Sequence, residues 1–100
     1  MKIEHYSEEK LKKEVREAIE KYLDLKKYKV FFFGSRVRRD NFEVSDIDIG
    51  IDGGEISPEV KMNIDEEIER IPTLYTFDIV DFSKVSEDFK KEAFKNIEYV

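Results

Sequence analysis

The segment from Ser45 to Asp52 constrains the fold more than any other part of the chain, because acidic and apolar residues alternate along it. Isoleucine stands at every second position, with acids and one glycine between: Ile47, Ile49 and Ile51 alternate with Asp46, Asp48, Gly50 and Asp52. A period of two is that of a β-strand, whose successive side chains point to opposite faces. The segment therefore predicts a strand with one apolar face toward the core and one acidic face.

Two of these acids, Asp46 and Asp48, fall on the same face of the predicted strand. Their backbones are about 6.8 Å apart, from a rise of about 3.4 Å per residue. Either they are part of the wet face of an amphipathic strand, or they lean onto metal ions about 3.5–4 Å apart, as in two-metal sites. Like charges on one face repel each other, which favours a ligand. Mg²⁺ suits the pair because it takes carboxylate and phosphate oxygens.

A third acid, Asp78, lies in the middle of a second β-prone segment, Thr76–Phe82, which is rich in aromatic and β-branched residues. Burying a lone carboxylate among apolar neighbours is costly, and a metal ion or a basic partner removes that cost. Asp81 belongs to the same segment but points to the opposite face and lies near its end. Asp78 is therefore the better candidate for a site residue.

A Gly-Ser turn ends a strongly apolar segment upstream of the acids. Residues 28–33 are apolar on both faces, which predicts a central strand covered on both sides. Gly34 lets the backbone approach a ligand closely, and Ser35 adds a hydroxyl and an N–H that suit phosphate oxygens. Arg36 opens a short basic cluster that ends at Arg39, and arginine also suits phosphate. Each feature alone is common, and it is the spacing of these features to the acids that makes them informative.

The order and spacing of these elements resemble those of the DNA polymerase β-type nucleotidyltransferase superfamily. A Gly-Ser pair is followed by ten residues, an Asp-x-Asp pair and a later single aspartate in a strand. The chain is most similar to the minimal nucleotidyltransferases (MNT proteins) of bacteria and archaea, and the resemblance spans roughly residues 30–82. It implies that the triphosphate contacts fall on Gly34 and Ser35, and the ligands of two magnesium ions on Asp46, Asp48 and Asp78.

The resemblance implies an enzyme that transfers a nucleoside monophosphate, AMP from ATP, to a hydroxyl acceptor and releases pyrophosphate. Asp46 and Asp48 are expected to hold the metal on the triphosphate. Asp78 is expected to complete the second metal site and to take the proton of the attacking hydroxyl. Arg36 is expected to neutralise charge on the phosphates. Arg39 departs from the family pattern, which commonly has a small residue there, and this leaves the shape of the loop open.

The resemblance also implies a partner protein. Minimal nucleotidyltransferases commonly pair with a helical HEPN-domain protein as antitoxin and toxin, and family members transfer AMP to a tyrosine of that partner. Two alternatives remain open. The acceptor is a small hydroxylated molecule, as in aminoglycoside-modifying relatives, or the chain is a non-catalytic module that sequesters its partner by contact. A pure binder has no need of three acids, which favours an enzyme.

Composition narrows the remaining function classes. The chain has 100 residues and a formal net charge of −6, which predicts a single domain over residues 1–100. An acidic surface argues against duplex nucleic acid as a ligand, since that affinity depends on neutralising phosphates. Cysteine is absent and His5 is the only histidine, which argues against thiolate and histidine metal sites. No signal peptide or long apolar stretch is present, so the chain is expected to be cytoplasmic and to have no membrane partner.

Three amphipathic helices complete the predicted fold. The first begins after Ser7 and ends near Leu25, and the second begins at Ser57-Pro58 and ends at Pro72. The third begins after Ser86 and is predicted to carry four residues on one apolar face: Phe89, Ala93, Ile97 and Val100.

Phe94 and Tyr99 lie off the apolar face of the third helix and are expected at a partner surface. The order of helices and strands predicts an α/β fold, a small mixed sheet flanked by helices, which is the nucleotidyltransferase fold. We expect the three acids and the Gly-Ser turn to gather at one edge of that sheet.

Overall fold

A four-stranded mixed sheet forms the centre of the molecule. The computed structural model describes residues 7–34, 47–73 and 75–100. Across these ranges the elements are α1 (Glu8–Glu20), β1 (Lys29–Phe33), β2 (Ile47–Asp52), α2 (Pro58–Glu69), β3 (Phe77–Asp81), α3 (Glu87–Ala93) and β4 (Ile97–Tyr99). The strand order is β3-β2-β1-β4. β1 is antiparallel to β2 and β4, whereas β2 and β3 are parallel. The predicted α/β fold with a small mixed sheet is therefore confirmed.

Each described helix begins at the serine that the sequence predicts. The hydroxyl oxygens of Ser7, Ser57 and Ser86 accept hydrogen bonds from the backbone N–H three residues later, at 3.3, 3.2 and 3.1 Å. These bonds satisfy N–H groups that have no partner within the helix. The first helix ends earlier than predicted, at Glu20. A turn follows it, in which Asp24 accepts a hydrogen bond from the N–H of Lys26 at 2.9 Å. The second helix ends at Glu69, three residues before the proline that was expected to stop it.

The prediction for the end of the third helix is wrong. The helix ends at Ala93, and Ile97 lies in a short edge strand rather than on the helix. That strand pairs with β1, with Ile97 opposite Phe33, and the N–H of Val100 donates to the carbonyl oxygen of Val30 at 3.1 Å. The buried β1 strand needs hydrogen-bond partners on both sides. In the strand, the side chain of Ile97 still packs against the apolar cluster that includes Phe33 and Ala93. The strand therefore keeps this side chain partly buried, as a helix would have done.

The two faces of the sheet are covered to different extents. The α1–α2 face is closed by a large cluster: Leu11, Val15, Ile19, Ile64, Ile68, Val30, Phe32, Ile47, Ile49 and Ile51. The α3 face buries a smaller cluster: Phe31, Phe33, Phe82 and Ala93. Both faces of β1 are thus covered, as predicted for a central strand. The helix α3 has seven residues and is shorter than α1 or α2. It therefore leaves part of this face of the sheet uncovered.

Gly50 allows the aromatic cluster of the α3 face to pack directly on β2. A Cβ atom at this position would lie 2.6 Å from Cζ of Phe31 and 2.7 Å from Cε1 of Phe82. The two rings meet edge to face, with centroids 5.0 Å apart, a favourable arrangement. A side chain at residue 50 would lift both rings off the sheet. The glycine that interrupts the acidic face of β2 therefore belongs to the core.

Candidate active site

Asp48 and Asp78 lie side by side in the parallel pair of strands β2 and β3. The register pairs them directly, with Ile49 opposite Ile79 at the next position. Adjacent strands are about 4.8 Å apart, and paired residues point to the same face, here the α3 face. Asp48 is half-buried and Asp78 is exposed. Two carboxylates thus leave the sheet together at one end of the strands.

Gly34 packs against the carboxylate of Asp48. It directly follows Phe33, which is the register partner of Asp48 across the β1–β2 pair. Its φ of +91° is one that residues with side chains rarely adopt. A Cβ atom on Gly34 would lie only 2.6 Å from Oδ2 of Asp48. Gly34, Asp48 and Asp78 therefore lie together at the same end of the sheet.

The other predicted site residues, Ser35, Arg36 and Asp46, lie outside the described residues, as does Arg39. Within the described ranges, no group of three or more Asp, Glu, His or Cys side chains is placed to hold a metal ion. Asp48 and Asp78 supply two carboxylates, and Asp46 stands two positions before Asp48 in the sequence. The donor atoms of this set are all oxygen, which fits magnesium.

Asp81, the competing acid of the same strand, is part of the fold rather than of the site. It is buried, and its carboxylate accepts hydrogen bonds from Ile56 N at 3.3 Å, Ser83 N at 2.9 Å and Ser83 Oγ at 2.7 Å. Burial alone would raise the pKa of Asp81, but the hydrogen bonds from Ser83 and Ile56 outweigh it, and the pKa is lowered. The carboxylate thus ties the segment before α2 to the end of β3. This geometry supports the choice of Asp78 over Asp81 as the site candidate.

The helical period places Phe89 on the core face of the third helix, yet 41% of this residue is exposed. Its ring centroid lies 6.0 Å from that of Phe33, and Phe33 is paired with Asp48. An exposed aromatic ring therefore packs against the strand partner of Asp48. The helical period alone does not reveal the exposure of Phe89. That exposure depends on how much of the sheet the short helix α3 covers.

Phe94 and Tyr99, which the sequence places at a surface, are 41% and 56% exposed. The ring of Phe94 stacks on Phe82, with centroids 5.7 Å apart, and the ring of Tyr99 lies 6.1 Å from that of Phe31. Both residues therefore extend the core cluster outward, and each leaves part of its surface uncovered. Their expected role in binding a partner stays a prediction.

Comparison with known families identifies the class of enzyme. A family model described as polymerase beta, nucleotidyltransferase matches residues 13–100. The chain belongs to this nucleotidyltransferase family. The match includes β1, β2 and β3, the strands that carry or border Gly34, Asp48 and Asp78. It confirms the resemblance that the spacing of the Gly-Ser pair and the acids indicates, and the protein is a nucleotidyltransferase.

A solved structure described as a toxin-antitoxin with AMP-PNP has the same fold as this nucleotidyltransferase. The TM-score is 0.69, and the match covers 88% of this chain and 70% of the other at 14% sequence identity. Comparison with the curated proteins finds no match. In the described part of the nucleotidyltransferase, no helix has the length and apolar character needed to cross a membrane.

Proposed function

We propose that this nucleotidyltransferase uses magnesium to transfer AMP from ATP to a hydroxyl group of a partner protein. The partner is a HEPN-type toxin, the acceptor is a tyrosine, and the nucleotidyltransferase acts as its antitoxin. The observation that carries the enzymatic part is the pairing of Asp48 with Asp78 beside Gly34. This pairing has the arrangement that transfer from a metal-bound triphosphate requires: two acids on one open face, next to a glycine that allows close approach.

The residues have separate roles in the proposed reaction. Asp46 and Asp48 would hold the magnesium ion on the triphosphate, and Asp78 would complete the site of a second one. The first would supply positive charge to the phosphates, and the second would lower the pKa of the attacking hydroxyl. Gly34 and Ser35 position the phosphates, and Arg36 adds positive charge. The three aspartates suit magnesium because all of their donor atoms are carboxylate oxygens.

The transfer is a single displacement at the α-phosphorus of ATP. The acceptor oxygen forms a new bond to this phosphorus. The bond between the phosphorus and the oxygen that bridges to the β-phosphate breaks, and pyrophosphate leaves with the bonding electron pair. The proton of the acceptor hydroxyl passes to the carboxylate of Asp78, which is exposed.

The proposed nucleotide and partner draw support from the fold likeness to the toxin-antitoxin structure, which contains AMP-PNP. The exposed Phe94 and Tyr99 offer that partner an aromatic surface.

The test is co-purification with the HEPN-type partner, followed by intact mass of both chains after ATP and magnesium are added. The proposal predicts a mass gain equal to one AMP on the partner, lost in the Asp48→Asn variant. A stable complex whose masses never change would instead identify a sequestering module. If a small hydroxylated compound gains the nucleotide and the partner does not, the acceptor assignment is wrong.

A further inference from the structure

Phe89 is held in a defined position at the border of the open α3 face. Its backbone N–H donates to Oγ of Ser86 at 3.1 Å, which fixes the first turn of α3. Its ring packs against two others, with centroids 6.0 Å from Phe33 and 5.7 Å from Phe82, at interplanar angles of 78° and 64°. With 41% of the residue exposed, the ring is supported from two sides and open on another.

The position of this ring relative to the acids follows from the register. Phe33, Asp48 and Asp78 are paired across three neighbouring strands, so their side chains leave the α3 face at the same level. At the next level, Gly50 makes room for the aromatic rings that cover the sheet. Phe89 contacts Phe33 and therefore lies where the covered part of the face meets the part that carries the acids.

We propose that the exposed part of the Phe89 ring is the surface on which the base of the nucleoside triphosphate stacks. This inference rests on the proposed function, because it requires the triphosphate to lie at Asp48 and Asp78. A nucleotide held there by its phosphates extends its nucleoside along the α3 face, where Phe89 offers a pre-positioned aromatic ring. Every base has a π-face, and base–aromatic stacking is tolerant of sequence. The contact favours purines by area and does not distinguish adenine from guanine.

The absence of tryptophan from the chain makes a direct test possible. A Phe89→Trp variant has a single tryptophan, whose fluorescence a stacked base quenches. We expect ATP and GTP with magnesium to quench it and tripolyphosphate, which has no base, to leave it unchanged. The matched controls are Phe94→Trp and Tyr99→Trp. Phe94 and Tyr99 contact Phe31, which pairs with Gly50 one level away from Asp48, and their replacements should show little quenching.

Binding constants provide the second measurement. The Phe89→Leu variant is expected to raise the Kd of ATP about tenfold, within the range found for base–aromatic stacking, and to leave the Kd of tripolyphosphate unchanged. Phe89→Tyr keeps a ring and should bind ATP like the parent. If the leucine variant does not fold, the quenching of Phe89→Trp still tests the proposal. An equal rise in both Kd values would show a structural role and overturn the inference.

The outcomes separate the inference from the proposed function. If ATP binds the parent and Phe89→Leu equally well and does not quench Phe89→Trp, the stacking assignment is wrong and the proposed function stands. If Phe89→Leu loses the partner protein while its ATP affinity is unchanged, the ring belongs to the partner surface and the inference is likewise overturned. If neither ATP nor tripolyphosphate binds the parent chain, both proposals fail.

Discussion

Oδ2 of Asp48 lies only 2.6 Å from the place that a Cβ atom on Gly34 would take. A side chain at residue 34 would therefore collide with the carboxylate of Asp48 in its present position. The turn after β1 approaches the start of β2 closely because residue 34 has no side chain. The φ of +91° at Gly34 adds a second requirement for glycine at the same position.

The first prediction follows from this contact. Gly34→Ala is expected to displace the Asp48 carboxylate and to weaken stabilisation by magnesium-ATP, measured as a thermal shift. The unfavourable φ itself should cost about 1–3 kcal/mol of stability. Gly54→Ala is the matched control, because Gly54 has a φ of +141° but its nearest neighbour atom would lie 3.7 Å from the new Cβ. If both variants keep the full shift, the contact has no role in binding.

Magnesium and ATP together are expected to raise the melting temperature, and Asp48→Asn to abolish most of the rise. A ligand that binds only the native state at one hundred times its Kd stabilises it by about 2.7 kcal/mol. That corresponds to roughly 11–22 °C for a domain of this size. Asp52→Asn is the control, since Asp52 lies on the same strand but pairs with Lys29 at its far end. Equal shifts in the parent and Asp48→Asn would contradict the assignment of Asp48 as a metal ligand.

Asp78→Asn is expected to leave nucleotide binding largely intact and to reduce transfer by about 10²- to 10⁴-fold, the usual contribution of a general base. A group that acts on the attacking hydroxyl works in the transition state and adds little to ground-state binding. Turnover with saturating ATP measures the effect, and nucleotide affinity is measured separately. A loss of less than about tenfold would remove Asp78 from the reaction.

Asp81→Ala should show the opposite behaviour, with lower stability and normal transfer well below the melting temperature. It leaves the N–H of Ile56 without its acceptor, and an unsatisfied buried donor costs about 2 kcal/mol. The lowered pKa of Asp81 means that its contribution is present above the unfolded pKa, about 3.9, and is lost as the pH falls below it. Denaturant unfolding at pH 7 gives the loss, and a catalytic defect in a folded variant would contradict the structural role.

Glu98 on β4 should contribute to stability toward acid. Its carboxylate lies 2.8 Å from Nζ of Lys12 on α1. Burial opposes ionisation of Glu98, but a hydrogen bond from the protonated carboxyl of Glu8, whose own pKa is raised, and the contact with Lys12 outweigh it and lower the pKa of Glu98 from 4.5 to about 2. A lowered pKa adds stability that is present above 4.5 and is lost as the pH falls toward 2.

Glu98→Gln is therefore expected to flatten the acid side of the stability–pH curve between pH 4.5 and 2. Glu92→Gln is the control, because its contact with Lys95 joins two exposed side chains and such pairs contribute little. The measurement is the free energy of unfolding at several pH values. Identical curves for the parent and Glu98→Gln would show that the contact between β4 and α1 does not stabilise the fold.

Local patterns in the sequence predicted most of the elements correctly. The alternation of isoleucine and aspartate predicted β2 because the direction of side chains in a strand depends only on adjacent residues. The three serine caps were predictable for the same reason, since each bond spans three residues. The segment at Ile97 was predicted wrongly as helix. Its apolar period fits a helix, but its backbone pairs with β1, more than sixty residues earlier in the chain.

The sequence by itself determined which residue types were available to the site, and in which order: a glycine at the end of one strand and aspartates inside two others. Only the tertiary structure decided that Asp48 pairs with Asp78, because the register between β2 and β3 is set by packing on α1 and α2. The tertiary structure also decided the exposure of Phe89, which packs against the strand partner of Asp48. This exposure depends on how much of the sheet a seven-residue helix covers, which is a property of the packed molecule and not of any local stretch.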